Sequence, residues 1–140
     1  MTRGDSRHTG PAHAGATRHA AGQTPEADMQ TAMVVTWTRP NVGREDRAVE
    51  YGIEVNEYWS RHAKQGKCSE PALFFTEGGN GIWMVTGERD VLMSIHDSEE
   101  ARMLTLKGEL LLENFCLEFY FAGDAAADYM LRYQSALAFI

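Results

Sequence analysis

The chain has 140 residues, two cysteines and a formal net charge of −7, enough for one domain that buries roughly 65–70% of its unfolded surface without a disulfide or metal staple. The acidic balance argues against nucleic acid, which needs clustered Lys and Arg, and against anionic membrane surfaces. No apolar run approaches the ~18 residues of a membrane span, and the N-terminus lacks the apolar stretch of a secretory signal.

Residues 1–28 contain no Val, Ile, Leu, Phe, Tyr or Trp. Such a segment has almost nothing to bury and is expected to be a disordered tail. Its charges balance, Arg3, Arg7 and Arg18 against Asp5, Glu26 and Asp28, so the acidity belongs to residues 29–140, read as a single domain. His8, His13 and His19 have no regular ligand spacing, and no metal site is expected. Cys68 and Cys116 are too few and too far apart for a disulfide framework, which points to a reducing cytoplasm.

Residues 31–39 (TAMVVTWTR) are β-branched and aromatic and stop at Pro40, the pattern of a strand. Met33, Val35 and Trp37 share one face; Ala32, Val34, Thr36 and Thr38 share the other. Residues 44–65 carry Ala48, Gly52, Val55, Trp59 and Ala63 at spacings of three and four, the stripe of an amphipathic helix widened by Tyr51 and Tyr58. Gly66 is its natural stop.

Two apolar stretches, 72–75 and 82–85, flank Gly78-Gly79-Asn80-Gly81 and predict a β-hairpin. Both are apolar at consecutive positions, so both faces of the hairpin call for burial. Residues 90–96 predict a short helix, and 98–107 a second one capped by Ser98 with Glu99 and Glu100 in its first turn. Residues 110–121 are read as the last strand, interrupted by Glu113. Residues 125–139 are read as a C-terminal helix with Tyr129, Met130, Tyr133 and Leu137 on one face.

The order strand, helix, strand, strand, helix, strand is the βαββαβ pattern of an α+β, ferredoxin-like fold with an extra C-terminal helix. Right-handed crossovers place both helical segments on one face of a four-stranded antiparallel sheet. The other face then needs a cover. A second copy, packed sheet to sheet as a two-fold homodimer, is the simplest one; about 600 Å² of apolar surface per subunit is worth roughly 15 kcal/mol gross against association costs of about 4–15 kcal/mol. The rival cover is the C-terminal helix folded over its own sheet.

Gly43-Arg44-Glu45 opening the long helix, Gln65-Gly66-Lys67 closing it, the Gly78-Gly79 turn, Gly87 before a short helix, and Asn114-Phe115 carry a resemblance across residues 31–121. Here the chain resembles small, uncharacterised bacterial proteins of the dimeric α/β-barrel superfamily. Characterised relatives include cofactor-independent quinol monooxygenases, muconolactone isomerases, haem-degrading monooxygenases and YCII-related proteins. The resemblance implies the fold far more than an activity. The haem-degrading members use an asparagine, a tryptophan and a histidine; here the first strand offers Thr36, Trp37 and Thr38, so that triad does not carry over. No cofactor is expected.

The candidate chemistry is sparse. His96, after a short helix and before Asp97, is either a general base or a helix-end histidine. Trp37, Tyr58, Trp59 and Trp83 either line an apolar ligand pocket between sheet and long helix or simply fill a core. Arg39 can hold a carboxylate or sit at a strand end in solvent. Glu113 breaks an apolar strand, so it faces water or has a partner. Two functions follow: a homodimeric module that binds a small apolar or aromatic molecule, or stays empty as a structural protein; or a cofactor-independent monooxygenase or isomerase for a small aromatic or polyketide-like substrate, with His96 handling the proton.

Overall fold

The computed structural model describes residues 30–140. The expected tail, 1–28, lies outside the described residues. The elements are β1 (Thr31–Trp37), β2 (Arg39–Pro40), α1 (Glu45–Lys64), β3 (Ala72–Phe75), β4 (Gly81–Gly87), α2 (Arg89–His96), α3 (Glu99–Leu111), β5 (Leu112–Glu113), β6 (Cys116–Phe121) and α4 (Gly123–Leu137). Four strands form an antiparallel sheet in the order β3-β4-β1-β6, and β2 pairs with β5 in a separate two-stranded ladder. This is the ferredoxin-like α+β architecture that the order of elements predicts.

Register explains the core. Val35 lies opposite Trp83 on one side and Leu117 on the other; Met33 lies opposite Val85 and Phe119. Strand side chains alternate, so these six share the face that meets the helices. Onto it α1 brings Tyr58 and Trp59, α2 brings Leu92 and Ile95, and α3 brings Ala101 and Leu104. Met33, Val85 and Leu92 are almost wholly withdrawn from water, at 2%, 0% and 0% exposure. Trp59 packs edge-on to Trp83, with ring centroids 5.8 Å apart.

Local signals set the element ends. Gly66 adopts φ +75° immediately beyond α1, a conformation that a side chain disfavours. The hydroxyl of Ser98 accepts the Ala101 N–H and so caps α3 as expected. Tyr58 Oη bonds the same hydroxyl at 2.9 Å, which ties α1 to the start of α3.

Two elements depart from expectation. The strand expected over 31–39 stops at Trp37, and Arg39–Pro40 pair with β5 instead of the main sheet. The single strand expected over 110–121 is three pieces: α3 continues to Leu111, β5 takes Leu112–Glu113, and Asn114 breaks the chain at φ +55° before β6 begins at Cys116. An apolar run such as Leu110-Leu111-Leu112 satisfies a helix and a strand equally well, so alternation alone misassigns it. Tertiary fit decides instead. Gly108 sits where any Cβ would run into Phe115 and Tyr51, so α3 can lie close against both. Asparagine is among the few side chains that tolerate the left-handed region, and Asn114 Nδ2 anchors itself on Thr38 Oγ1 at 2.9 Å.

The sheet's outer face is uncovered in the single chain. Phe74, Ile82 and Tyr120 are 56%, 43% and 49% exposed there. No residue of α4 is buried, so the C-terminal helix does not serve as the cover. Tyr129 of this helix stacks on Phe121, centroids 4.6 Å apart.

Candidate functional site: an apolar cavity beneath the long helix

Between α1 and the sheet, toward the ends of β1 and β3, lies a cavity of about 350 Å³. Its floor is Val35, Trp37 and Trp83; its roof is Ala48, Tyr51, Gly52, Val55 and Asn56 on α1; Val49, Ile53, Leu73 and Phe75 stand at its rim. The helix has small residues at Ala48 and Gly52 where larger ones would fill the space. A Cβ built on Gly52 meets no atom within 4 Å.

The floor is fixed by close packing. Trp37 lies flat across Gly81, where any Cβ would overlap its indole ring. Phe75 meets the same ring edge-on, centroids 5.8 Å apart. Trp83 is held from above by its indole N–H, which donates to Asn56 Oδ1 at 2.9 Å. The end of the cavity is closed by Pro40 and Leu112, paired across β2 and β5.

The residues singled out in the sequence divide into four groups. Trp37 and Trp83 line the cavity. Tyr58 and Trp59 lie deeper, 5% and 3% exposed, in an aromatic cluster with His62. Arg39 and Glu113, neither of which lines the cavity, bind one another: Arg39 Nε donates to Glu113 Oε2 at 2.7 Å. They are the next rung of the ladder that places Pro40 against Leu112, with side chains to the opposite side. His96 closes α2, packs edge-on to Phe119 at 5.6 Å, and borders a second void of about 20 Å³, not the large cavity.

That small void shares Val35, Tyr51, Val55 and Trp83 with the large one. Burial pushes the Tyr51 phenol well above its ordinary value, with the charge of Glu54 adding to the effect. The phenol therefore stays neutral. Elsewhere, the Nδ1 of His62 is buried without a hydrogen-bond partner. Burial lowers the His62 pKa, Lys67 and Arg61 lower it further, and Glu100 opposes them. Burial also raises the Cys68 thiol to about 11, with Glu70 contributing. Both cysteines are free thiols. Among the described residues no cluster of His, Cys, Asp or Glu is arranged to hold a metal, and no helix is long and apolar enough to cross a membrane.

Asn56 and Gly52 are the site residues that sequence reading passes over or misassigns. Gly52 belongs to the apolar stripe of α1, yet its contribution is the space it leaves. Asn56, four residues on, is a neutral polar side chain beside Val55 on the buried side of the helix, and that placement is the signal it carries.

No protein-family model matches the chain, and no curated protein matches its sequence. Solved structures do match. A conserved protein of unknown function from Bacteroides thetaiotaomicron, described as a "possible oxidoreductase", is 15% identical; the match covers 67% of this chain and 99% of that one, with TM-score 0.53. A hydroxynitrile lyase from Passiflora edulis is 10% identical over 68% of this chain and 95% of that one, TM-score 0.53. A dimeric ferredoxin-like protein of unknown function from Thermobifida fusca is 9% identical over 66% and 92%, TM-score 0.52. The likeness is one of fold. At such identities the same scaffold hosts unrelated sites, so activity has to be argued from this chain's own cavity.

Proposed function

We propose that the protein is a homodimeric small-molecule-binding module of the dimeric α/β-barrel type, working in the cytoplasm, whose sheet–helix cavity takes a small apolar or aromatic molecule. The cavity of about 350 Å³ beneath α1 carries this reading. Ligand sites are concave, mostly apolar and furnished with few polar groups, typically in the range of about 300–1,000 Å³. An engineered apolar cavity of about 150 Å³ already binds benzene, so this one has room for about two rings.

The dimer is supported by the uncovered outer face, where Phe74 and Ile82 are exposed beside Val34 and Met84, and by the dimeric description of the Thermobifida fusca protein. Two free cysteines fit a reducing compartment. Light scattering on the eluting protein is expected to give twice the chain mass, and Ile82→Asp to give the single-chain mass. A wild-type monomer at micromolar concentration would remove the dimer from the reading and leave the cavity.

A cofactor-independent monooxygenase or isomerase is the second reading, and one observation favours it. His96 stands one layer of side chains from the cavity, across the shared wall of Tyr51 and Trp83. The binding reading is preferred because no histidine, carboxylate, lysine or arginine lines the large cavity among the described residues. A thermal-shift screen with naphthalene derivatives, quinols and haem tests binding; a ligand present at 100 times its Kd should add about 2.7 kcal/mol of stability. No shift with any ring compound would overturn the binding reading. Turnover of a bound quinol that His96→Ala abolishes would favour the enzyme.

A further inference from the structure

The hydrogen-bond inventory of the cavity goes beyond its shape. An indole N–H can only donate, so Asn56 must present its Oδ1 to Trp83, and this fixes which way the amide faces. The amide Nδ2 keeps both donor hydrogens. No protein acceptor within hydrogen-bond distance takes them among the described residues, and Asn56 lines the cavity. Nδ2 is open to solvent, since among the described residues the Nδ1 of His62 is the buried side-chain atom without a partner; a ligand that displaces water from Nδ2 must therefore accept from it or leave the donor unpaired at a cost in free energy. The one other polar side-chain group that could answer a ligand, apart from the Trp37 and Trp83 indoles, is the Tyr51 hydroxyl, and it lies against Gly108 of α3.

Charge narrows the ligand further. Among the described residues no lysine, arginine or histidine lines the cavity, and the chain as a whole is acidic. A carboxylate or phenolate entering it would lose its hydration with no cation to compensate.

We propose that Asn56 is a specificity-determining residue that reads a hydrogen-bond acceptor, and that the cavity selects neutral one- or two-ring molecules carrying a carbonyl. This rests on the cavity being a ligand site and specifies its chemistry. Trp83 is a positioning residue in this scheme, because it holds the amide in the orientation that leaves the donors free.

The test is a matched trio of one shape: 2-acetonaphthone, 2-ethylnaphthalene and 2-naphthoate, titrated into full-length protein and followed by tryptophan fluorescence. The ketone should bind about tenfold tighter than the hydrocarbon, the size of one neutral hydrogen bond, and the acid should bind weakest. Asn56→Asp keeps an acceptor for the Trp83 N–H and removes the two amide donors, so it should bring ketone and hydrocarbon to nearly equal affinity. Equal binding of ketone and hydrocarbon by the wild type would overturn the inference and leave the cavity reading standing, as would tightest binding of the acid. If none of the three binds, the cavity reading falls and the inference with it.

Discussion

The layer between α1 and the sheet has two halves built from the same kinds of residue. In the half around Trp59, Trp83 and Leu92, two more helices press down on the sheet and the space is filled but for the void of about 20 Å³ beside His96. In the half around Trp37, Gly52 and Phe75, α1 is the only helix overhead among the described residues, it presents the small Ala48 and Gly52 there, and a cavity remains. Leu73 and Phe75 stand on the same face of the sheet as Trp83, yet they are 43% and 66% exposed while Trp83 is 4%. Aromatic residues at inward strand positions therefore do not guarantee a filled core. What the opposing helix offers decides whether they become packing or lining.

The sharpest test of the contrast is stability. Leu92→Ala removes side-chain volume from the closed half and should cost about 2–5 kcal/mol. Val49→Ala at the cavity rim removes a side chain that is 65% exposed and should change stability by less than about 0.5 kcal/mol. Urea denaturation of both variants measures the difference. Similar losses would mean that the two halves are equally packed and that the cavity is not open.

Gly81→Ala comes next. Its new methyl would occupy the place of the Trp37 ring, so the indole must move or the strand must bend. Overpacking of this kind costs about 1–3 kcal/mol. Because Trp37 is cavity floor, ligand affinity should fall with stability, and its fluorescence should shift. A variant with wild-type stability and an unmoved Trp37 signal would show that the floor is not set by this contact.

The closed half was legible in the sequence because periodicity reports it: Met33 and Val35 alternate along β1, and Val55 and Trp59 recur along α1, all on faces that the fold buries. The Ser98 cap and the Gly66 stop were legible for the same local reason. The cavity was only half legible. Trp37 and Trp83 announce a large apolar surface, but the sequence does not say that Gly52 and Ala48 will stand opposite Trp37. Arg39 and Glu113 each look like a lone charge near an apolar strand; their pairing depends on β2 meeting β5, and that depends on the break at Asn114. Contacts across 74 residues leave no mark on local pattern.

Gly52→Leu probes the open half directly. Its Cβ would meet no atom within 4 Å, and from this lining position the rest of the side chain should enter and obstruct the cavity. Replacing a helix-interior glycine by leucine should raise stability by about 0.5–1 kcal/mol through helix propensity. The ring-compound thermal shift should disappear in the same protein. Retained ligand shifts in the stabilised variant would place binding somewhere other than beneath α1.

The smallest expected effect separates the halves by pH. His62 lies in the closed half against Tyr58 and Trp59, and burial, together with Lys67 and Arg61, holds its pKa below the ordinary 6.5 while Glu100 works against them. The unfolded chain therefore takes up this proton first as pH falls. The stability due to a neutral His62 is present above pH 6.5 and declines as pH drops through 6.5 toward the lower folded value. Cys68 gives the mirror case: with the folded thiol near 11 and an ordinary value of 9.0, its contribution is intact below pH 9 and is lost between 9 and 11. His62→Phe should flatten the acid side and Cys68→Ala the alkaline side. Ligand affinity for a neutral ring compound should stay level through the acid window, because none of the side chains lining the large cavity titrates there. An affinity that tracks the His62 transition would mean that the two halves are coupled, and that the packed core reaches the cavity through the wall of Trp59 and Trp83.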